Sequence, residues 1–313
     1  MRDALQRVLQ EIRKVIVGKN EVVAEVLTAV LASGHVLLED VPGVGKTTMT
    51  LAFAKALGLE AKRVQFTSDT MPADIIGFSV YDRRIEDFAY KPGAIMTNML
   101  LADEINRTSS KTQSALLEAM EEGSVTVDGV THPLPAPFVV LATQNPVGSA
   151  GTQLLPASQL DRFLIRISIG YPDFESQVNI LKDRRESNPL SEVEPVLTRA
   201  RLIEIIEAVA RVHVGDTIYA YITSLAEASR AHPLVQLGVS PRGALALCRM
   251  AKGRAFLAGR DYVVPEDVAA VFPDVGGHRL VLNAKARFNE LDGRAVVLEI
   301  LEKLRMPVIE EIK

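Results

Sequence analysis

Residues 37–48 read LLEDVPGVGKTT. Strand-forming residues run into a turn punctuated by Pro42, Gly43 and Gly45, and the turn closes on Lys46-Thr47-Thr48. A strand, a glycine-rich loop and a helix in that order form the context in which a phosphate is held. Glycines let the backbone approach the anion, a helix N-terminus aims free N–H groups at it, the lysine neutralises the β- and γ-phosphates, and the next hydroxyl ligates Mg2+. Val41, Pro42, Gly43, Val44, Gly45, Lys46, Thr47 and Thr48 are the nucleotide-binding residues expected on this basis, with Thr47 also a metal ligand. The strict motif has glycine where this chain has Asp40, a position ahead of the part that wraps the phosphates. A chance glycine-rich turn carrying a surface lysine is the alternative, and the flanking strand and helix speak against it.

The pattern around the loop repeats outward. Apolar runs HVLLE (35–39), KRVQF (62–66), NMLLAD (98–103), FVVLAT (138–143) and FLIRISI (163–169) alternate with helical periodicity at 20–32, 47–57 and 110–122. Gly58 and Gly123 stop the second and third of these helices. Continuous apolar strands between helices predict a parallel sheet covered on both faces. Two stretches break the rhythm: SVTVDGVTH, where Asp128-Gly129 marks a two-residue hairpin, and 77–93, a looser hairpin set into a helical region. Each is either structural decoration or a partner contact. An amphipathic helix with Leu5, Val8, Leu9, Ile12 and Ile16 opens the chain.

The polar stretch ESNPLSEVEP (186–195) reads as a linker, dividing an α/β domain at 1–187 from a helical domain at 188–313. Helices are expected in the second domain at 198–211, 215–230, 241–258 and 265–271, with no strand.

NMLLADE supplies a second half to the site. A buried strand ending in Asp103-Glu104 brings carboxylates to the sheet edge where ligands of open α/β folds bind. Asp103 would hold Mg2+ with Thr47, and Glu104 would polarise a water for attack on the γ-phosphate. An acidic strand end that merely caps the next helix is the competing reading. FVVLAT runs into Gln144-Asn145-Pro146, and the Asn145 amide would touch both γ-phosphate and water unless it only shapes an Asn-Pro turn.

Composition bounds the rest. The 313 residues carry a net charge of −4, no Trp and 5% aromatics, against broad phosphate neutralisation or base stacking, so nucleic acid is an unlikely partner. One cysteine, Cys248, excludes an intramolecular disulfide framework, and the five histidines at 35, 132, 213, 232 and 278 lack ligand spacing. With no apolar run near the ~18 residues of a membrane span, a cytoplasmic protein is expected.

Taken with IVGKNEVV, FTSDTMPADIIG, LLADEINRTSSKTQSALLEAMEE, LATQNP, LPASQLDRF, GVSPRG and PEDV in that order, the chain resembles the MoxR family of AAA+ ATPases over nearly its whole length. The resemblance implies ATP and Mg2+ as ligands, a five-stranded parallel sheet in the order 5-1-4-3-2 with inserted β-hairpins, and a helical lid. It implies a homo-oligomeric, usually hexameric ring with nucleotide between subunits. It further implies chaperone-like remodelling of a protein client with a von Willebrand factor A-type partner. In LDRF, Arg162 resembles the arginine finger that reaches the neighbouring γ-phosphate, or else it is a helix-terminal ion pair. In SPRG, Arg242 resembles the second sensor or is a plain surface arginine, and Arg107 in EINR lies near the subunit interface in such folds. A magnesium-chelatase-like motor subunit is the alternative within this clade, with a DNA motor and a P-loop small-molecule kinase disfavoured by charge and by the all-helical second domain.

Overall fold

A computed structural model describes residues 1–40, 43–144, 155–183 and 189–308. Its centre is one parallel sheet of β1 (Val36–Glu39), β2 (Ala61–Gln65), β3 (Met99–Asp103), β4 (Val139–Gln144) and β5 (Ile165–Ile167), ordered β5-β1-β4-β3-β2. This is the expected order. All four pairings are parallel, and Leu101 lies opposite Leu141 while Leu38 lies opposite Thr143.

Strand side chains alternate between two cores, which is why the strands read as unbroken apolar runs. Val36 and Leu38 enter a large cluster on one face, and Leu37 enters a second cluster on the other. On the first face lie α1 (Arg2–Arg13), α2 (Asn20–Leu31) and α3 (Lys46–Leu57), the last contributing the fully buried Phe53. Burying such a side chain is worth about 1.5–3 kcal/mol. The second face is covered by α4 (Ser110–Glu122), whose Leu116, Leu117 and Met120 point inward. Ser109 caps α4, its Oγ accepting from Thr112 N–H. Such a cap contributes about 0.5–2 kcal/mol.

Both hairpins are present. The longer pairs 77–82 with 87–92, and the shorter pairs 124–127 with 130–133 through Asp128 and Gly129, whose φ of 49° and 81° suit a tight two-residue turn. The rings of Tyr90 and His132 stack at 3.8 Å and tie the two hairpins together.

After β5 comes α5 (Phe174–Asp183), which the sequence reading did not anticipate. The stretch read as a linker is partly packed, with Val193 buried, and just past its end Leu197 is buried and the N–H groups of Val196 and Leu197 donate to the Ala56 carbonyl of α3. The lid contains α6 (Arg199–Ala210), α7 (Asp216–Ala231), α8 (Pro241–Leu257), α9 (Pro265–Gly276) and α10 (Gly293–Lys303). Three details differ from expectation. Helix α9 continues through Pro273, α10 was not foreseen, and Val235–Leu237 pairs with Val281–Leu282 as a short antiparallel ribbon. These strands are two or three residues long and carry no alternation that sequence periodicity can register.

Candidate active site

The phosphate loop turns through Gly43 and Gly45 at φ 90° and 93°, backbone that a side chain would strain. Helix α3 starts with no side-chain cap, so the amides of its first turn are free to meet an anion. Lys46 is buried and its Nζ donates to the Asp40 carbonyl at 2.8 Å. Burial lowers its pKa, opposed by the charges of Asp40, Asp103 and Glu104.

Asp40, the departure from the strict motif, has a structural task. Its carboxylate accepts from Ser168 Oγ at 2.8 Å, Ile169 N–H at 2.6 Å and Gly170 N–H at 3.0 Å. The end of β1 is thereby fastened to the chain leaving β5. A glycine there would leave those donors without their acceptor.

Across the cleft, β3 delivers Asp103 and Glu104. Asp103 Oδ1 accepts from the Thr143 hydroxyl at 2.5 Å, and Oδ2 accepts from Arg63 Nη2 at 2.8 Å. The same Thr143 hydroxyl accepts from the Glu104 N–H at 2.8 Å, so one fully buried side chain of β4 sets both acids. Glu104 has φ 56°, a left-handed conformation that costs a non-glycine residue about 1–3 kcal/mol and clusters at functional positions. Its Oε2 accepts from Arg107 Nη1 at 2.8 Å. Arg63 and Thr143 were missed in the sequence; the only signals were a basic residue inside an apolar strand and a hydroxyl ending FVVLAT.

Between these walls runs a cleft of about 900 Å³. Lys46, Thr47, Thr48, Asp103 and Glu104 are among its polar lining, and Val15–Val17, Ile169, Ile180 and Leu181 are among its apolar lining. A lining that combines free amides, a lysine and hydroxyls with apolar side chains fits a nucleoside polyphosphate, and the carboxylate and hydroxyl oxygens suit a hard cation such as Mg2+.

The two arginines taken from the resemblance lie elsewhere. Neither lines the cleft; both donate to Glu121 at the end of α4, Arg162 through Nε to Oε2 and Arg242 through Nη1 to Oε1, each at 2.9 Å. The neighbouring Asp161 is held by the buried Arg279, whose Nε donates to Oδ1 at 2.7 Å, and by Ser240 Oγ at 3.2 Å. The turn carrying Arg162 is thus pinned to the lid helix carrying Arg242. Asn145, Val41 and Pro42 lie outside the described residues.

The histidines are structural where their contacts are visible. His35 is enclosed, accepts from Val140 N–H at 3.0 Å and faces the Met120 carbonyl at 3.0 Å, and burial lowers its pKa to about 4. His278 lies between the Asp274 and Phe163 carbonyls, and burial holds its pKa well below the usual value. Among the described residues no group of three or more His, Cys, Asp or Glu can hold a metal ion, and no helix is long and apolar enough to cross a membrane.

Residues 35–165 match the ATPase family associated with various cellular activities (AAA), and residues 227–300 match the AAA lid domain. The uncharacterized protein YeaC of Bacillus subtilis is 49% identical over 304 residues, covering 97% of this chain and 95% of that protein. Chaperone MoxR1 of Mycobacterium tuberculosis is 38% identical over 317 residues, covering 98% and 84% respectively. The crystal structure of a Cytophaga hutchinsonii protein assigned as an ATPase superposes with a TM-score of 0.91 at 37% identity, over 98% of this chain and 96% of that one.

Proposed function

The chain belongs to the MoxR family of AAA ATPases, and from that premise we propose that it hydrolyses MgATP at sites completed between subunits of a hexameric ring and uses the cycle to remodel a protein client.

Within one subunit the roles follow from position. The α3 amides and Lys46 hold the β- and γ-phosphates, and Thr47 with Asp103 would hold Mg2+, which supplies charge neutralisation at the phosphates. Thr143 keeps Asp103 and Glu104 oriented. Glu104 orients a water and takes its proton as the water oxygen bonds to the γ-phosphorus and the bond to the bridging oxygen breaks. For that the Glu104 carboxylate must leave Arg107, its present partner.

One observation carries the intersubunit part. Arg162 and Arg242 converge on Glu121, away from their own cleft, and their side chains are 29% and 44% exposed. Two guanidiniums against one carboxylate leave positive charge facing outward. A neighbouring subunit's γ-phosphate is the anion that would complete the arrangement, and a cation brought to the transition state from outside is worth about 10³–10⁵ in rate.

The client is a protein in this reading, with a von Willebrand factor A-type partner. Supporting it are the name of the Mycobacterium tuberculosis relative, Chaperone MoxR1, and the stacked hairpins, the longer of which exposes Phe78, Tyr81 and Phe88. The test is phosphate release per subunit across a range of protein concentrations, with particle mass followed in parallel. Turnover should rise as the assembly forms. Full turnover in a dilute monomer would overturn the intersubunit site.

A further inference from the structure

Each acid at the end of β3 has its own arginine, and the two pairs differ. Glu104 is paired to Arg107, three residues away on the same turn. Asp103 is paired to Arg63, which comes from the edge strand β2 and spans 40 residues of chain to reach it. Arg63 lines the nucleotide cleft, and its side chain is 50% exposed. Among the described residues, its Nη2 also donates to the amide oxygen of Gln65, at 3.1 Å, the residue whose Cα lies opposite Asp103 in the strand register.

Asp103 itself is crowded. One oxygen receives the Thr143 hydroxyl from the buried side and the other receives Arg63 from the cleft side. A divalent cation brought to Asp103 from the cleft would therefore compete with the guanidinium for Oδ2, since Oδ1 already accepts from Thr143. Once displaced, a half-exposed arginine anchored at its base on a rigid strand stays within the cleft. It shares that cleft with Lys46 and Thr47, where a triphosphate adds several negative charges to those of Asp103 and Glu104.

We infer that Arg63 is the exchangeable counter-ion of this site: it neutralises Asp103 until Mg2+ takes that carboxylate, then turns to the terminal phosphate of the bound nucleotide. This rests on the cleft being the MgATP site. Arg63 thereby couples loading of the metal to recognition of the third phosphate, a task for which the planar guanidinium, able to pair with carboxylate or phosphate oxygens, is suited.

The competing role is a clip that holds β2 to β3. Binding of fluorescent ATP and ADP analogues by the full chain, each in Mg2+ and in EDTA, separates the two for wild type, Arg63→Ala and Arg63→Lys. Arg63→Ala should weaken ATP about tenfold and ADP far less, and should lower the Mg2+ concentration needed for half-maximal nucleotide binding, because the competitor for Asp103 is gone. Arg63→Lys should recover part of the preference for ATP. Equal losses for ATP and ADP, or no change in the Mg2+ midpoint with thermal stability preserved, would overturn the inference while leaving the site intact. Absence of nucleotide binding by the wild-type protein would instead remove the functional reading, and this inference with it.

Discussion

Arg242 of the lid donates to Glu121 at 2.9 Å across 121 residues of chain. The bond matters because Arg162 occupies the other oxygen of that carboxylate, so a lid residue and a residue of the α/β domain present their charge at one place. Arg162→Ala should lower kcat about 10³-fold or more. ATP affinity should be retained, because neither arginine lines the cleft of its own subunit. Steady-state turnover and direct nucleotide binding, measured on the same preparation, separate the two effects.

Thr143 places both acids, donating to Asp103 and accepting from the Glu104 N–H. Thr143→Val keeps the shape of a fully buried side chain and removes both bonds. The loss of stability should be about 1–3 kcal/mol by urea unfolding, since a buried N–H and a carboxylate lose a partner. Turnover should fall much further than nucleotide affinity, because Glu104 would lose its hold on the attacking water. A variant with full activity would remove the positioning role.

Asp40→Gly would restore the strict loop motif. It should nevertheless destabilise the protein by about 2–4 kcal/mol, because bonds to a charged acceptor are among the stronger ones and three donors lose theirs. Thermal and urea unfolding test this. Unchanged stability would mean that the contacts with Ser168, Ile169 and Gly170 carry no net energy.

Glu25 gives a pH signature at the junction between α2 and the lid. Its carboxyl is pushed up to about 8, first by burial and then by Asp274 of α9 and by Glu21, against the pull of Arg294 of α10. Glu39, Arg166, His278 and Asp292 line the same cavity. Because the folded state binds this proton more tightly than the unfolded chain, stability falls as pH rises from about 4.5 to about 8 and is level above that window. One proton contributes a slope of at most about 1.4 kcal/mol per pH unit. Glu25→Gln should remove that slope, and an unchanged pH profile of unfolding free energy would contradict the assignment.

Much of this was legible in the sequence because it depends on short stretches. Strands such as NMLLAD are apolar on both sides because both faces of the sheet are covered, and Asp128-Gly129 specifies its own turn. The phosphate loop, Asp103 and Glu104 are likewise contiguous runs. What was not legible depends on register between strands and on docking of the lid. Arg63 and Thr143 meet Asp103 because β2, β3 and β4 are neighbours in the sheet, and Glu121 meets Arg242 because the lid docks on the α/β domain, where Arg279 and Ser240 hold Asp161. The helix expected at 265–271 runs on to Gly276 as α9, with Pro273 inside it.

The most direct test mixes two inactive proteins. Glu104→Gln should hold ATP without hydrolysing it while still presenting Arg162 to its neighbour, and Arg162→Ala should keep an intact cleft while failing its neighbour. In a mixed ring, an Arg162→Ala cleft facing the arginine of a Glu104→Gln subunit is complete. Equal amounts should therefore regain about a quarter of wild-type turnover, the fraction of interfaces of that kind in random assembly. Turnover no higher than that of either parent, in mixtures shown to co-assemble, would contradict an active site shared between subunits.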